Sequence, residues 1–398
     1  MKKKIDSTEN HNLIEYFRVM NKKLQTTGNI LLQIGRFIFG AVFIFSGFVK
    51  AIDPLGFSYK IEEYLQNFGG IFQRVDNYSL FFAIALTTLE LLIGLGFIFK
   101  VHFNFTKLLA LLFMIVMTPL TLYIAIKNPV PDCGCFGDAL IIGNWTTFFK
   151  NVILISIVIL MYIYHNQFSA FLSTKLQYYA LAFFVLIGIS LSVYSYQHLP
   201  LIDFLPYKIG VNIQKDMEIP DDAPQDEYKT TFIYEKNGEK KEFTLENYPK
   251  NDPEWVFVDQ KSVLVKQGFR APIHDFGIMN AQFDDITQDV LMFPGKTYLL
   301  VMYDIDETAI EGAKKAELIY QKTLKSGDKF YALTASSDED VTKFVQKTNV
   351  TYPFWKTDPT TLKTIIRANP GLVLLKKGTI VGKWNWRDFE KSGVNSNQ

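Results

Sequence analysis

Five long apolar stretches constrain this chain more than any other feature, because each is close to the length of a helix that crosses a bilayer. A membrane-spanning helix needs roughly 20 predominantly apolar residues. The stretches show almost none of the polar stripe that marks a soluble core helix. They cover residues 30–49, 80–99, 108–126, 145–164 and 178–196. The first half is therefore predicted to be an all-α bundle of five transmembrane helices.

The charges divide the chain into two unlike halves. Residues 1–199 hold 15 Lys and Arg and 10 Asp and Glu, a net charge of +5. The remaining residues hold 26 and 30, a net charge of −4, and the two values sum to the total of +1. This near-neutrality removes any general case for nucleic-acid binding. The acidic second half is expected to be a separate domain outside the bilayer.

Basic residues at the N-terminus predict the orientation. By the positive-inside rule they place the N-terminus in the cytoplasm, so that five spans leave the C-terminal half extracytoplasmic. The expected location is the bacterial inner (cytoplasmic) membrane, with the lipid bilayer as a partner. Residues 1–29 are predicted to form a cytoplasmic amphipathic segment, either lying in the membrane interface or packed on the bundle as a solvated helix. The basic residues are Lys2, Lys3, Lys4, Arg18, Lys22 and Lys23.

The two cysteines of the sequence, Cys133 and Cys135, fall in the predicted outer loop between the third and fourth spans. A disulfide in C-x-C strains the backbone unless the middle residue is permissive, and Gly134 supplies that freedom. Strained disulfides are easily reduced and tend to be catalytic or regulatory. Catalytic thiol–disulfide exchange is the favoured interpretation. A structural disulfide, inert thiols and a metal site remain alternatives, although no further metal ligands are visible and no metal is expected.

The membrane half resembles a known family. Residues 35–40, with their continuation through residues 45–50 to Asp53 and Pro54, look like the first helix of the DoxX-like membrane proteins. Residues 131–138, followed by Trp145 and by Lys150-Asn151, are similar to the methylamine-utilisation protein MauE branch of that superfamily. The resemblance implies a four-helix unit, here residues 30–164, that handles thiols and disulfides for exported proteins. The fifth helix, within residues 165–199, lies beyond it.

Arg36 lies about one and a half turns into the first predicted span, and Glu90 lies near the middle of the second. Charges at that depth cost about 3 kcal/mol or more and are usually paired or functional. We expect a structural ion pair between Arg36 and Glu90. The alternative is a proton path or quinone-headgroup site serving the cysteines, which makes a membrane quinone the candidate cofactor. Gly94 shares a helix face with Glu90 and is expected to allow close helix contact.

Residues 200–270 are predicted to form a β-rich linker or subdomain. Two short β segments flank Asn237-Gly238, the strongest short signal for a hairpin turn. A further β segment covers residues 255–258.

From residue 271 to residue 398, strands and helices alternate as a βαβ unit followed by an αββ unit. This pattern resembles the thioredoxin-like fold, so the chain is expected to end in an α/β thioredoxin-like domain. Residues 368–375 look like the cis-proline of that family and its following strand. We therefore predict a cis Asn369–Pro370 bond, with Asn369 and Pro370 as candidate partner-binding residues. The family's C-x-x-C is replaced by residues 303–308, which contain no cysteine.

Two functions fit these features. The first is an inner-membrane thiol–disulfide oxidoreductase that acts on an exported protein client or redox partner through Cys133 and Cys135, with the thioredoxin-like domain for partner docking. The second is a non-enzymatic membrane-anchored scaffold or assembly factor that binds an exported client. A transporter that uses Arg36 and Glu90 is a third, weaker hypothesis. The sequence alone does not decide whether the protein is an enzyme.

Overall fold

The computed structural model describes residues 7–130, 132–164, 172–250, 252–266 and 268–393, except the side chains of residues 7–25 and 71–74. The described part of the N-terminal half contains the α-helices α1 (Ser7–Ile52), α2 (Pro54–Phe68), α3 (Ser79–Phe99), α4 (Phe103–Lys127), α5 (Asn144–Ile163) and α6 (Thr174–Gln197). All five predicted spans are confirmed as long apolar helices, carried by α1, α3, α4, α5 and α6. The chain is a multi-pass membrane protein.

The first helix differs from the expectation in one respect. It continues from Ser7 to Ile52, so no break separates the predicted amphipathic segment from the first span. The prediction about the faces of that segment concerns side chains outside the described part, and residues 1–6 lie outside it altogether.

Helices α1 and α3 pack with their backbones in close contact. A Cβ atom on Gly94 would lie 2.7 Å from the Ile44 amide nitrogen, and one on Gly40 would lie 3.0 Å from the Gly94 carbonyl oxygen. Small residues at a helix crossing allow this approach in a membrane, where packing rather than hydrophobic transfer drives association. The predicted close contact at Gly94 is confirmed, and it sets the register that positions the side chains near the cysteines.

A helix that the sequence did not predict follows α1 directly. Asp53 caps α2, because its carboxylate accepts a hydrogen bond of 2.9 Å from the Gly56 amide, and Pro54 occupies the first helical turn. Both features favour helix initiation. The helix ends at Gly69 and Gly70, which both have positive φ. It lies at the end of the bundle that carries the cysteine loop, here called the cysteine end.

The C-terminal domain is built on a five-stranded sheet. Its strands are β4 (Lys296–Val301), β5 (Lys329–Thr334), β6 (Phe354–Lys356), β7 (Gly371–Lys376) and β8 (Thr379–Asn385), in the order β6-β5-β4-β7-β8. β4, β5 and β6 are parallel, and β7 and β8 are antiparallel to their neighbours. The helices are α8 (Thr287–Met292), α9 (Ile310–Ser326), α10 (Asp338–Thr348) and α11 (Pro359–Ile365). This is the predicted α/β thioredoxin-like class, with β6 and α8 as elements that the sequence missed.

The sheet has a hydrophobic core on each face, as the two-residue period of a strand requires. Leu299 and Val301 of β4 lie in one core, and Tyr298 and Leu300 lie in the other. The first core also contains Tyr207 and Ile213, the latter in the short helix α7 (Ile213–Met217). The predicted domain boundary at residue 271 is therefore wrong for this segment, which packs with the α/β domain.

Residues between these two parts of the α/β domain form a separate antiparallel sheet. It consists of β1 (Glu227–Lys236), β2 (Glu239–Thr244) and β3 (Val256–Lys266), in the order β2-β1-β3. The predicted hairpin is confirmed, with Asn237 and Gly238 both at positive φ. β3 extends well past the predicted β segment. The sequence did not reveal this extension because the exposed residues from Asp259 to Ser262 are all polar and show no alternation of apolar and polar side chains.

Candidate functional site

The cysteine loop joins α4 to α5 and folds back onto the bundle. Its two thiols are free, buried, and 2.7 Å apart from Sγ to Sγ. Gly134 has a φ of +64°, a conformation that glycine adopts without steric cost and that brings the two sulfurs together. The Asp132 carboxylate accepts a hydrogen bond of 2.8 Å from the Gly134 amide and so fixes this turn. The structure thus brings together Cys133 and Cys135 in a geometry suited to bond formation.

A buried ion pair lies beneath the loop. The Lys50 ammonium is 2.6 Å and 2.9 Å from the two Glu90 carboxylate oxygens, and both side chains are about 95% buried. The Ser46 hydroxyl lies 2.9 Å from Glu90 Oε2 and 2.7 Å from the Cys135 carbonyl oxygen. A hydroxyl has a single hydrogen, so Ser46 shares it between the ion pair and the cysteine loop. The charged pair in the bilayer is thereby linked to the backbone of Cys135.

The predicted pair between Arg36 and Glu90 is wrong. Arg36 donates instead to the carbonyl oxygens of Phe97 and Ile98 at the far end of α3, the latter at 2.7 Å. Glu90 lies level with Gly47, because a Cβ atom on that glycine would be 3.2 Å from the Glu90 Cβ. Gly47 follows Arg36 by 11 residues, or about 16 Å along a helix. Lys50 is the partner that sequence reasoning missed, since the first predicted span ends at residue 49.

A small cavity of about 30 Å³ separates Cys135 from this ion pair. Its polar lining comes from Ser46, Lys50, Glu90, Lys150 and Asn151. Such a space admits one or two water molecules. Glu90 lines this cavity and Arg36 does not, so the structure does not bring these two residues together in one site.

The two thiols have unlike electrostatic surroundings. The hydrogen bond between the sulfurs lowers the pKa of Cys135 and raises that of Cys133. Burial opposes ionisation of Cys135, while the Lys150 and Lys50 ammonium groups favour it. Lys150 is held near the loop, with its Nζ 4.4 Å from the centroid of the Phe136 ring. The pair therefore loses its first proton at Cys135.

Helix α2 covers the loop on the side away from the bundle. The Tyr64 hydroxyl donates a 2.9 Å hydrogen bond to the Cys133 carbonyl oxygen. The Lys60 ammonium lies 3.2 Å from both Asp132 and Glu63, and its aliphatic chain passes over Gly134. Side chains of α2 thus cover the backbone of the cysteine loop, and both thiols are buried.

The α/β domain docks on the cysteine end through Arg367. Its guanidinium binds the Asp53 carboxylate at 2.9 Å and 3.1 Å, and it binds the Asp138 carboxylate at 3.0 Å. Asp53 caps α2 and Asp138 follows Cys135 by three residues. A single buried arginine therefore ties the α/β domain to both the covering helix and the cysteine loop.

The face of the α/β domain expected to bind partners is turned toward α2. The Asn369–Pro370 bond is cis, as predicted. The Asn369 carbonyl oxygen accepts from the Ala309 amide at 3.2 Å, and its side chain bonds Asp304 and Thr308. Tyr303, the first residue of the segment that replaces C-x-x-C, contacts the ring of Tyr59 on α2 at 6.4 Å between centroids. Asn369 thus serves internal contacts, and the neighbouring surface faces the membrane domain of the same chain.

No group of three or more His, Cys, Asp or Glu side chains suited to hold a metal occurs within the described part of the chain.

Comparisons with known proteins relate separate parts of the chain to known groups. Residues 28–164, about a third of the chain, match the family described as methylamine utilisation protein MauE. Residues 228–267, which form the separate antiparallel sheet, match a domain of unknown function, DUF8463. The solution structure of a proposed protein disulfide isomerase from Bacteroides thetaiotaomicron is 20% identical, with a TM-score of 0.25. That match covers 30% of this chain and 81% of the other. No curated relative matches the chain.

The MauE match begins within α1 and includes all of α2, α3, α4 and α5, with the cysteine loop between α4 and α5. The membrane domain is therefore MauE-like, and the site built on Cys133 and Cys135 lies wholly within it. Arg367 comes from outside the matched region.

Proposed function

We propose that this protein is a membrane thiol–disulfide exchange protein of the bacterial inner membrane, with the cysteine end facing outward and an exported protein as its partner. The observation that carries the proposal is the placement of two free thiols 2.7 Å apart, beside two lysine ammonium groups, at the end of the bundle where the α/β domain docks. The match of the surrounding helices to the MauE family supports it.

The chemistry follows from the difference between the two thiols. In the oxidising direction, a partner thiolate attacks Cys133 Sγ of a Cys133–Cys135 disulfide, and Cys135 leaves as a thiolate. A leaving thiol with a lowered pKa departs faster, and Lys150 and Lys50 stabilise the charge that it carries. The partner is then joined to Cys133 by a mixed disulfide.

The second partner thiolate resolves this intermediate. It attacks the partner sulfur of the mixed disulfide, and Cys133 leaves and takes up a proton. The partner dithiol has become a disulfide, and the cysteine pair has become the dithiol seen in this structure. A disulfide-bearing second protein restores the pair by the reverse exchange, so that electrons and protons balance without a bound cofactor.

Thiol trapping in native membranes tests this function. The Cys133–Cys135 pair should be found in both redox states. Cys135→Ser should accumulate mixed disulfides, formed when Cys133 attacks a partner disulfide, because the Cys135 thiolate that would resolve them is missing. Cys133→Ser is the matched variant and should trap far less. The proposal fails if the pair occupies one redox state throughout and neither variant yields a mixed disulfide.

The exposed sheet favours a second function, a scaffold that binds an exported client. All of β3 is exposed, including Val256, Phe257 and Val265, which are 52–65% exposed. β3 is an edge strand of its sheet, and exposed apolar side chains on an edge strand favour a surface that a partner covers. Normal client assembly in the double Cys133→Ser/Cys135→Ser variant would favour the scaffold over the exchange function.

A further inference from the structure

A cavity of about 440 Å³ lies between the membrane domain and the α/β domain, next to the cysteine loop. One wall is formed by α2 and by Asp132, Gly134 and Asp138 of the loop. The opposite wall is formed by Lys363 and Arg367 with the segment that follows α6. This volume is typical of pockets for small ligands and far below that of a folded domain. We call it the interdomain chamber.

The interdomain chamber reaches the cysteine loop at Asp132 and Gly134, the two residues that flank Cys133 in the chain. A Cβ atom built on Gly134 would meet the aliphatic chain of Lys60 at 3.2 Å, so this side chain overlies the glycine. Two partly exposed carboxylates, those of Asp132 and Glu63, hold Lys60 at 3.2 Å each. Ion pairs with that exposure are weak. Displacement of the Lys60 side chain therefore uncovers the Gly134 turn, which joins Cys133 to Cys135, on the chamber side.

The interdomain chamber carries an excess of negative charge. Six carboxylates and four cationic side chains border it. Glu90 neutralises Lys50 and Lys383 neutralises Asp203, which leaves five carboxylates against three cations. A cleft lined by one sign of charge concentrates ligands of the opposite sign. The carboxylates belong to Asp53, Glu62, Glu63, Asp132, Asp138 and Asp203.

We propose that the interdomain chamber is the substrate site of the exchange reaction, and that its substrate is a cysteine or disulfide sulfur on a narrow, positively charged group. An extended polypeptide segment with Lys or Arg beside its cysteine and a small cationic disulfide share this chemistry. The inference rests on the proposed exchange function and adds size and charge selection to it. A cysteine on the surface of a folded domain is excluded by the docked α/β domain.

The test is a rate comparison with disulfides that differ in charge. The reduced full-length protein in lipid nanodiscs is mixed with cystamine, hydroxyethyl disulfide or dithiodiglycolate, which are cationic, neutral and anionic. In each case one disulfide bond breaks, the Cys133–Cys135 bond forms, and two small thiols leave with the two protons. Each rate is divided by the rate of the same disulfide with dithiothreitol, which removes intrinsic reactivity.

We expect cystamine to react about tenfold faster than dithiodiglycolate after this correction. The preference should shrink to about threefold in the Glu62→Gln/Glu63→Gln variant, which removes two negative charges from the chamber wall. Glu254→Gln is the matched control, because Glu254 is an exposed residue just before β3 and outside the chamber lining, and it should keep the full preference.

Two further probes distinguish the sources of the substrate. A short linear disulfide peptide with lysines beside its cysteine should react as fast as cystamine if an extended segment is the substrate, and more slowly if the substrate is a small molecule. A compact protein with a surface disulfide should react at least tenfold more slowly than both.

The possible outcomes distinguish failure of the substrate-site inference from failure of the exchange function on which it rests. Corrected rates that do not follow the charge of the three small disulfides would overturn the interdomain chamber as the substrate site. A compact protein that reacts as fast as the small disulfides would do the same. Either result leaves the exchange function intact. Failure to react with any disulfide overturns both.

Discussion

Replacement of Arg367 by glutamine should release the α/β domain from the cysteine end of the bundle. The Arg367 side chain is 8% exposed, and it bonds Asp53, which is 19% exposed, and Asp138, which is 45% exposed. The neutral amide leaves two carboxylates facing each other without their cation. The variant should therefore dock more weakly, without loss of the folded core of either domain.

The magnitude follows from the burial of the pair. Removal of one partner from a buried ion pair costs about 3–5 kcal/mol, and we expect about 3 kcal/mol here because the exposed side of Asp138 is screened by solvent. At 1.4 kcal/mol for each factor of ten, the ratio of docked to undocked molecules should fall roughly 150-fold.

The assay is the rate at which a bulky maleimide modifies Cys133 and Cys135 in native membranes. Undocking frees α2, so the rate should rise strongly in Arg367→Gln and less in Arg367→Lys. Arg270→Gln is the matched control, because Arg270 also binds an aspartate, Asp226, through a short pair, but on the exposed separate sheet. A rate within twofold of the parent protein in a folded Arg367→Gln variant would refute the reasoning.

Three other perturbations test the site. Lys50→Met should lower the free energy of unfolding in detergent by about 3–5 kcal/mol, because it leaves Glu90 as an unpaired buried charge; Lys50→Met/Glu90→Leu should recover much of the loss, and additive losses would contradict the pairing. Lys150→Met should move the midpoint of thiolate formation, followed by absorbance at 240 nm, to higher pH, because loss of a cation raises the pKa of Cys135; an unchanged or lowered midpoint would argue against that role. Gly134→Ala should slow formation of the Cys133–Cys135 disulfide and cost about 1–2 kcal/mol, because alanine is strained at a φ of +64° and its Cβ meets Lys60; a disulfide that forms at the parent rate would show that the turn does not depend on this glycine.

Much of the fold could be predicted because its signals are local. The five spans depend on runs of apolar residues, and the hairpin at Asn237-Gly238 depends on two residues that tolerate positive φ. Helix α10 likewise starts at a local capping signal, since the Ser337 hydroxyl accepts from the Asp340 amide at 3.2 Å. Short elements were missed, as in α2 and β6, because their stability comes from packing on other elements rather than from their own pattern.

The sequence by itself determined the five-span bundle, the α/β class of the second domain and the candidacy of Cys133 and Cys135 as a reactive pair. Only the tertiary structure decided that Lys50, rather than Arg36, neutralises Glu90, and that Arg367 binds Asp53 and Asp138 across more than 200 residues of chain. The physical reason is the same in each case. Periodicity and composition report which face of an element is apolar, whereas the partner of a charge depends on helix register and domain docking, which many distant contacts set together.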